Sequence, residues 1–461
     1  MELNHYKQVY FLGIGGIGMS ALARWFQANH YQVAGYDKVA TSLTRELAAE
    51  GIEVVYEEAA EVIPAAFHDP EGTLVVYTPA IPTTHPQWQY FQQGKFTVAK
   101  RAAILGAISQ RYFTVAVAGT HGKTTTSAIV AHLLKTAKKA ITAFVGGIMK
   151  PYQTNVLLSD APEVLVVEAD EYDRSFLTLH PDIAIITATD ADHLDVYGEP
   201  KSVQEAFDAF IERISPEGKL FLKKGIVLSA DWLMERGEIY TFGLDNAQYY
   251  IKDLRIESGR FCFDIQTPQQ TIQGIALALP GAHNIRNALA AVGVAEALRI
   301  PSDVIKEGLN SFGGVKRRFE VYWQTEEQCL IDDYAHHPEE LKALLTTARQ
   351  LYPAKNITII FQPHLYTRTR DFAAGFAQSL SLADRVILLQ IYPAREQPIP
   401  GVDAQLIAKN VKAKEVKVVA TETALVTYLR QVQVQVCITA GAGDVDKSLP
   451  QIQEALALKV I

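Results

Sequence analysis

Short apolar runs alternate with helical stretches along almost the whole chain. The runs are rich in valine, isoleucine and leucine, and glycines or polar turn residues follow most of them. Strands of a parallel sheet are buried on both faces and therefore form such near-continuous apolar runs, with helices between them. The pattern predicts an α/β fold.

The strand-like runs fall into three blocks, which predict three domains with boundaries at 1–106, 107–315 and 316–461. The first block contains QVYFLGIG, YQVAGYD, GIEVVY and TLVVYTPAI. The second begins with YFTVAVAGT, EVLVVEAD and DIAIITATD, and then becomes more polar and antiparallel-looking from LFLKKGIVLSA to FCFDIQ. The third restarts with CLIDDYAHH, NITIIFQPH, RVILLQIYPA and VQVCITAGAGD. Each block is long enough to enclose its own core.

Composition and charge exclude several classes of protein. The chain has 461 residues, of which 48% are hydrophobic and 20% charged, and its net charge is −8. No global positive field attracts nucleic acid or an anionic membrane, and no apolar stretch approaches the roughly 20 residues of a membrane span. Cys262, Cys329 and Cys437 are scattered, which argues against disulfides or zinc and fits a reducing compartment. We therefore expect a cytoplasmic protein with no nucleic-acid or membrane partner.

The first candidate site is the GIGGIG stretch, which follows a strand-like run and precedes a helical one. Gly13, Gly15 and Gly18 match the GxGxxG pattern, Gly16 lies within it, and Asp37 follows at the end of the next strand. A tight turn that leads into a helix N-terminus presents backbone amides to a pyrophosphate. The motif alone leaves open whether the ligand is a dinucleotide or another nucleotide, or whether the glycines only allow packing.

The second candidate site is GTHGKTT, between a buried strand and an alanine-rich helix. Gly119, Gly122, Lys123 and Thr124 form a shortened phosphate loop, because Val117 stands where the usual pattern has its first glycine. Backbone amides would surround a phosphate, the lysine would contact its terminal oxygens, and the threonine hydroxyl could bind Mg²⁺. The sequence therefore predicts ATP binding.

Polar residues after two further strands extend this predicted site. Glu168 is the first polar residue after the apolar run of EVLVVEAD and fits a magnesium ligand. Glu171 and Asp173 could be ligands or part of a solvated acidic loop. His193, in TATDADH, follows a third strand and is interpreted as lying near a metal or phosphate, although a lone histidine is more often structural.

The remaining candidates lie near the end of the second block and in the third. Asn284 and Asn287 are one helical turn apart, so that both amides could contact one ligand. The segment GGVKRRFE supplies Lys316, Arg317 and Arg318, either as a basic linker or with a mobile arginine for the γ-phosphate of ATP. The segments DDYAHHPEE and FQPHLYTRTRDF are predicted to emerge at one sheet edge, where they would form one cluster for a carboxylate or phosphate: His336, His337, His364, Arg368 and Arg370.

Taken together and in this order, the motifs resemble the Mur ligases of peptidoglycan synthesis. The stretches that carry the resemblance are FLGIGGIGMSALA, AGTHGKTTT, EADEYDRSF, HNIRNALAA, DDYAHHP and QPHLYTRT. The resemblance covers essentially the whole chain. It implies a Rossmann-like N-terminal domain for a UDP-sugar, a central P-loop-type ATPase domain with a mixed sheet, and a C-terminal α/β Rossmann-like domain for an amino acid.

The resemblance also implies an activity and assigns roles to residues. ATP and Mg²⁺ would serve to phosphorylate the carboxylate of UDP-N-acetylmuramate, and L-alanine would attack the acyl phosphate; the protein would be a monomer or weak homodimer. The implied catalytic residues are Lys123, Glu168, His193, Arg318, His336 and Arg368. The implied ATP-binding residues are Gly119, Thr120, His121, Gly122, Lys123, Thr124, Thr125, Asn284, Asn287, Arg318 and Asp333. The implied metal ligands are Thr124, Glu168 and His193; the amino acid would contact His336, His364 and Arg368; and the UDP-sugar would contact Gly13, Gly15, Gly16, Gly18 and Asp37.

One position departs from the family pattern, and three other functions are considered. The family commonly has arginine where this chain has Leu365, so that contact is lost or comes from Arg370. The alternatives are the recycling ligase that attaches a tripeptide to the same sugar nucleotide, a regulatory ATPase without ligation, and an NAD oxidoreductase. The last would leave GTHGKTT unexplained.

Overall fold

The computed structural model describes residues 1–190, 197, 199–227, 238–394 and 396–457. These residues form two compact units. The first consists of residues within Met1–Asp253, Phe263–Ile275 and Arg286–Gly313, and the second of those within Leu254–Cys262, Ala276–Ile285 and from Gly314 onward. The α/β class predicted from the alternating pattern is confirmed.

The chain begins with a five-stranded parallel sheet in the order β3-β2-β1-β4-β5. The strand order reverses at β1, and in open α/β sheets such a switch point places ligands beyond the carboxyl ends of the strands. The GIGGIG loop follows β1 and therefore lies at this position. The strands are β1 Gln8–Leu12, β2 Gln32–Tyr36, β3 Glu53–Val55, β4 Thr73–Tyr77 and β5 Thr97–Lys100, and the helices are α1 Ile17–Ala28, α2 Ser42–Ala49, α3 Pro86–Gln93 and α4 Arg101–Ser109.

A seven-stranded sheet follows in the order β12-β11-β10-β6-β9-β7-β8. All its pairs are parallel except β7 with β8. The LFLKK run is expected from its sequence to be antiparallel, but it forms β11, which pairs in parallel with β10. The helix Pro200–Ile211 lies between these two strands and forms the crossover connection that parallel strands need. The elements are β6 Phe113–Ala118, α5 Lys123–Thr136, β7 Ile141–Met149, β8 Thr154–Leu157, β9 Val164–Glu168, β10 Ile183–Ile186, α6 Pro200–Ile211, β11 Lys219–Lys223 and β12 Glu238–Phe242.

A three-stranded sheet in the order β13-β14-β15 and two helices come next. Only residues 258 and 259 separate β13 from β14, and so short a connection makes the two strands antiparallel. The antiparallel expectation therefore holds for FCFDIQ. The elements are β13 Tyr250–Glu257, β14 Arg260–Gln266, β15 Thr271–Leu277, α7 Ala282–Ala297 and α8 Ser302–Ser311.

The second unit contains a six-stranded sheet in the order β16-β17-β21-β18-β19-β20. Only β16 is antiparallel, and β17 and β18 flank β21, so that the loops after β17 and β18 emerge at one edge. The strands are β16 Glu320–Gln324, β17 Cys329–Asp333, β18 Ile357–Phe361, β19 Arg385–Leu388, β20 Glu415–Val418 and β21 Val436–Ala440. The helices are α9 Pro338–Leu351, α10 Tyr366–Leu380, α11 Ala404–Ala408, α12 Glu422–Gln431 and α13 Leu449–Ala457. Of the helices in the described ranges, none has both the length and the apolar content to cross a membrane.

A buried polar contact fastens helix α1 to the edge of the seven-stranded sheet. Asn155, on β8, is fully buried, and its amide nitrogen donates to the Ile17 carbonyl and, at 3.2 Å, to the Ser20 hydroxyl. Its amide oxygen accepts from Arg24 Nη1 at 2.9 Å, and the Arg24 guanidinium also pairs with Glu50 at 2.7 Å. The helix that follows the glycine loop is thereby fixed against the sheet that carries the phosphate loop.

We expect Asn155→Ala to lower the free energy of unfolding by about 1–3 kcal/mol, because it leaves buried donors and acceptors without partners. Chemical denaturation measures the change. Asn4→Ala, at an exposed position, is the control and should change stability by less than about 0.5 kcal/mol. Equal effects of the two substitutions would contradict a structural role for Asn155.

Candidate active site

The loop from Gly13 to Gly18 connects β1 to α1. The Gly15 amide donates to Asp37 Oδ2 at 2.7 Å, so the acidic residue after β2 holds the loop directly. Gly16 is the N-cap of α1, and the first N–H groups of a helix have no acceptor within that helix. The geometry suits an anion at the helix N-terminus.

Arg101, which the sequence analysis missed, lies beside this loop. A Cβ on Gly18 would be 2.0 Å from Arg101 Nη1, so the guanidinium lies across the first turn of α1. Its Nη2 is 3.5 Å from Asp170 Oδ2. The signal in the sequence is the Lys-Arg pair directly after a strand and at the start of a helix, where a helix dipole disfavours cations.

The phosphate loop follows β6 and is held at several points by the segment after β10. The Thr120 amide donates to the Ala188 carbonyl at 3.0 Å, and the Thr187 hydroxyl donates to the carbonyls of Ala118 and His121. Gly122 has φ of +85° and is the N-cap of α5, a conformation that favours glycine. A Cβ there would also lie 2.7 Å from Asn287 Oδ1, so the asparagine side chain lies directly against the loop.

Lys123 lies in a buried ion pair. Its ammonium donates to the Gly119 carbonyl at 2.7 Å and lies 2.7 Å from Glu171 Oε2, and the Glu171 side chain is 1% exposed. Burial alone would lower the pKa of Lys123, but the carboxylates of Glu171, Asp170 and Glu168 outweigh it and raise the pKa above its ordinary value. The alternative of a solvated loop is therefore wrong for Glu171.

Thr124 and Glu168 form a second polar pair beside the ammonium. The Thr124 hydroxyl donates to Glu168 Oε1 at 3.0 Å, and the Gly146 amide donates to Oε2 at 2.8 Å. Burial raises the pKa of Glu168, against the lowering effect of Lys123. An oxygen-only pair of this kind suits a hard cation such as Mg²⁺, which keeps most of its ligands from water and phosphate.

Of four further predicted residues, the structure describes three. Asn284 and Asn287 are both buried on α7, and the Asn284 amide nitrogen donates to the Pro280 carbonyl at 2.7 Å. Asp173 accepts from the Ser175 amide at 3.1 Å, which makes it part of a local turn. His193 lies outside the described residues.

Two adjacent arginines of the second unit differ in their surroundings. Arg317 donates to the Gly441 carbonyl at 2.6 Å and pairs with the fully buried Asp332 at 3.2 Å, so it holds the fold together. Both guanidiniums lie beside the ring of Tyr334, 5.1 Å from its centroid for Arg317 and 5.3 Å for Arg318. The structure thus assigns Arg317 to structural contacts and leaves Arg318 as the candidate for a ligand.

Asp333 ends β17 beside Arg318. Its carboxylate accepts from the amides of Phe319, at 2.6 Å, and Ala335, at 2.8 Å. Burial nevertheless raises its pKa to about 6, although Arg318 and both amides act in the other direction.

Of the predicted histidine and arginine cluster, three members come together. The rings of His336 and His364 are 6.2 Å apart, and the charge of Arg368 acts on both. Burial, with a smaller contribution from the charge of Arg368, lowers the pKa of each histidine to about 4, although Glu340 acts in the other direction at His336 and Glu396 at His364. Both imidazoles are therefore neutral at pH 7 and can bind a ligand through ring nitrogens.

The other two predicted members lie elsewhere, which corrects the expectation of a five-residue cluster. His337 is the buried N-cap of α9 and packs on Phe372, with ring centroids 4.8 Å apart. Arg370 is exposed and pairs with Asp371 at 2.7 Å. Leu365, at the departure from the family pattern, has φ of +69°, and its amide donates to the Tyr392 carbonyl at 2.9 Å, so the backbone here is constrained.

Metal binding by protein side chains alone finds no support in the described ranges. Outside the omitted residues, no group of three or more His, Cys, Asp and Glu side chains is placed to hold a metal ion. A cation at Thr124 and Glu168 would need phosphate oxygens and water to complete its coordination.

Comparison with known proteins gives matches along the whole chain. Residues 8–113 match the Mur ligase family catalytic domain, residues 117–295 the Mur ligase middle domain, and residues 317–443 the Mur ligase glutamate ligase domain. The chain is 46% identical to the UDP-N-acetylmuramate–L-alanine ligase of Phocaeicola vulgatus, with 98% of each chain covered.

Solved structures agree with these matches. The UDP-N-acetylmuramate–alanine ligase of Thermotoga maritima superposes with a TM-score of 0.82 at 29% identity, over 98% of this chain and 99% of that one. A second ligase of that organism, solved in complex with ADP, shares the fold with a TM-score of 0.64 at 15% identity, over 100% and 99% of the two chains.

The lowered pKa values of His336 and His364 predict how stability depends on pH. Each histidine titrates at about 4 in the folded chain against an ordinary 6.5, so the unfolded chain binds more protons between these values. The free energy of unfolding should therefore fall as the pH falls from about 6.5 to 4.

Chemical denaturation of His336→Gln across this pH range tests the expectation. The free energy of unfolding of the variant should fall less steeply with falling pH than that of the wild type. His30→Gln, at an exposed position, is the control and should keep the full slope. Identical slopes in all three proteins would contradict the assignment.

Proposed function

The chain belongs to the Mur ligase family, and from this premise we propose that it joins L-alanine to the carboxylate of UDP-N-acetylmuramate at the expense of ATP. The full-length similarity to ligases of this name supports the substrates. The observation that carries the chemistry is the phosphate loop with its buried Lys123 ammonium and the adjoining pair of Thr124 and Glu168. The product is a precursor of peptidoglycan.

The reaction must bring two anions together. In the proposed sequence the sugar carboxylate attacks the γ-phosphorus of ATP, ADP leaves, the alanine amine attacks the acyl phosphate, and inorganic phosphate leaves. Because a carboxylate and a γ-phosphate repel each other, the site must supply positive charge. Lys123 supplies it from a position that Gly119 and Glu171 already fix, so that little reorganisation is needed when the nucleotide binds.

Magnesium fits the residues beside the lysine. The Thr124 hydroxyl and the Glu168 carboxylate are 3.0 Å apart, and both are hard oxygen ligands. A Mg²⁺ held there would neutralise phosphate charge during transfer. In the proposal His193 lies near a second Mg²⁺.

The remaining roles follow the three predicted segments, 1–106, 107–315 and 316–461, which we propose as the UDP-sugar, ATP and amino-acid domains. Asn284 and Asn287 would contact adenine, Asp333 the ribose and Arg318 the γ-phosphate. Gly119, Thr120, His121, Gly122 and Thr125 would complete the phosphate loop. Gly13, Gly15, Gly16 and Gly18 would hold the UDP pyrophosphate, and Asp37 would contact another part of the UDP-sugar. His336, His364 and Arg368 would contact L-alanine. A neutral His336 beside the Arg368 charge suits a zwitterion, because the ring can contact the amine and the guanidinium the carboxylate. The proposal includes a cytoplasmic monomer or weak homodimer.

We expect phosphate release from ATP to require both UDP-N-acetylmuramate and L-alanine. With oxygen-18 in the sugar carboxylate, one labelled oxygen should appear in the released phosphate, because that oxygen remains on phosphorus when the amine displaces it. Mass spectrometry of the phosphate checks the transfer. Released phosphate without the label would contradict the acyl-phosphate intermediate. Hydrolysis of ATP without the sugar nucleotide would favour a regulatory ATPase. A preference for the tripeptide over L-alanine in a panel of amines would favour the recycling ligase.

Lys123→Ala should abolish ligation and leave the affinity for UDP-N-acetylmuramate within about twofold, since the glycine loop is a separate site. Isothermal titration with the sugar nucleotide and an assay of phosphate release give the two readouts. Lys135→Ala, in the last turn of the same helix and exposed, is the matched control and should retain activity. Joint loss of ligation and sugar binding in the Lys123 variant would argue against separate sites.

A further inference from the structure

The Arg101 guanidinium spans two loops that the proposed function assigns to different substrates. Its Nη1 lies across Gly18 of the glycine loop, and its Nη2 faces Asp170, 3.5 Å away, two residues beyond Glu168. One planar group thus contacts the first turn of α1 and the acidic edge beside the phosphate loop. The Arg101 side chain is 28% exposed and that of Asp170 40%, so a ligand can reach both.

The contact with Gly18 gives a reason for the third glycine of the GxGxxG pattern. An alanine at this position would place its Cβ 2.0 Å from Nη1 and 3.1 Å from Cζ of Arg101. A real Cβ would therefore displace the guanidinium. The absence of a side chain at Gly18 keeps a cation at the N-terminus of α1.

A cation is electrostatically unfavourable at this place unless an anion accompanies it. Arg101 is the first residue of α4, Lys100 is its N-cap, and no acidic residue lies in its first turn. The positive ends of α1 and α4 both disfavour this cation. The contact with Asp170 offsets little, because partly exposed ion pairs contribute about 0–1 kcal/mol. The position of Arg101 at these helix N-termini therefore favours the binding of a polyanion more than it stabilises the free protein.

We propose that Arg101 is a positioning residue that exchanges Asp170 for the pyrophosphate of the UDP-sugar. Asp170 and the pyrophosphate compete for the same planar donor, and binding of the sugar nucleotide displaces the Asp170 carboxylate, whose charge acts on Lys123 and Glu168. The inference rests on the proposed function, since it requires a UDP-sugar on the glycine loop. Because coupling between two binding sites is reciprocal, a UDP-sugar on the glycine loop then changes the affinity of the phosphate loop for ATP, and ATP changes the affinity for the UDP-sugar.

A double-mutant cycle tests this competition. Isothermal titration with UDP-N-acetylmuramate is carried out on the wild type, Asp170→Asn, Arg101→Met and the double variant. Arg101→Met should weaken binding by about tenfold to a hundredfold, as expected for lost hydrogen bonds to a charged group. Asp170→Asn should tighten binding by about twofold to fivefold, because the competing carboxylate is gone. In the Arg101→Met background the same change should have no effect.

Two results separate competition from a merely structural role. The first is whether Asp170→Asn raises or lowers the affinity for the sugar nucleotide, and the second is whether that change requires Arg101. Tightening by Asp170→Asn in both backgrounds would indicate plain repulsion between Asp170 and the ligand, and unchanged or weaker binding in the wild-type background would likewise overturn the proposal. Arg101→Lys, which keeps the charge but not the planar fork, should bind with intermediate affinity and tests the same point if the methionine variant does not fold.

Arg111→Met is the matched control, because Arg111 is an exposed arginine just beyond the other end of α4, and it should leave the affinity unchanged.

The same titrations and an assay of ligation distinguish a failure of the proposed function from a failure of the exchange between Asp170 and the pyrophosphate. A wild-type protein that does not bind the sugar nucleotide contradicts the function, whereas one that ligates normally but shows no effect of Asp170→Asn contradicts the exchange alone.

Discussion

A buried ammonium holds the central site in a defined arrangement. Lys123 can stay charged inside the protein only because Glu171 and the Gly119 carbonyl surround it, since an isolated buried charge costs far more than a site can supply. The pair fixes the lysine at the start of α5. Thr124, Glu168 and Gly146 are linked to the same place by hydrogen bonds. The phosphate site is thus preorganised by contacts within the protein, which is the arrangement that lowers the cost of stabilising charge during transfer.

The candidate site residues of the second unit include two neutral histidines, whereas those of the first unit centre on a charged lysine. His336 and His364 are held neutral by burial and by the nearby Arg368. A neutral imidazole can accept a hydrogen bond from an ammonium without repelling it, and the arginine provides the only fixed positive charge in this group of three. Leu365 is the N-cap of α10, and its positive φ and the hydrogen bond from its amide to the Tyr392 carbonyl fix the main chain next to His364.

The sequence predicts those features that depend on strand ends, and misses those that depend on packing. The loops after β1, β6, β9, β17 and β18 were recognisable because parallel strands place polar residues at one edge. β5 and β8 are only four residues long and β16 begins and ends with a polar residue, so these strands lack a long apolar run. No local pattern shows that Glu171 is buried while Asp173 forms a turn, or that Arg317 pairs with Asp332 while Arg318 does not. Such differences arise from contacts between residues far apart in the chain.

The position of the glycine loop relative to the phosphate loop is a property of the fold. Asn155 and Arg24 fasten α1 to β8, and in the same sheet the phosphate loop after β6 leads to Lys123 at the start of α5. Arg101 connects the first turn of α1 to Asp170, in the segment after the neighbouring strand β9. In the proposed function, a sugar nucleotide held on α1 would therefore meet ATP at a distance fixed by packed secondary structure. Holding reactants in such a geometry can contribute roughly 7–11 kcal/mol to a reaction. Rigid attachment of the two loops is, on this view, the reason why a polar asparagine is buried between a helix and a sheet edge.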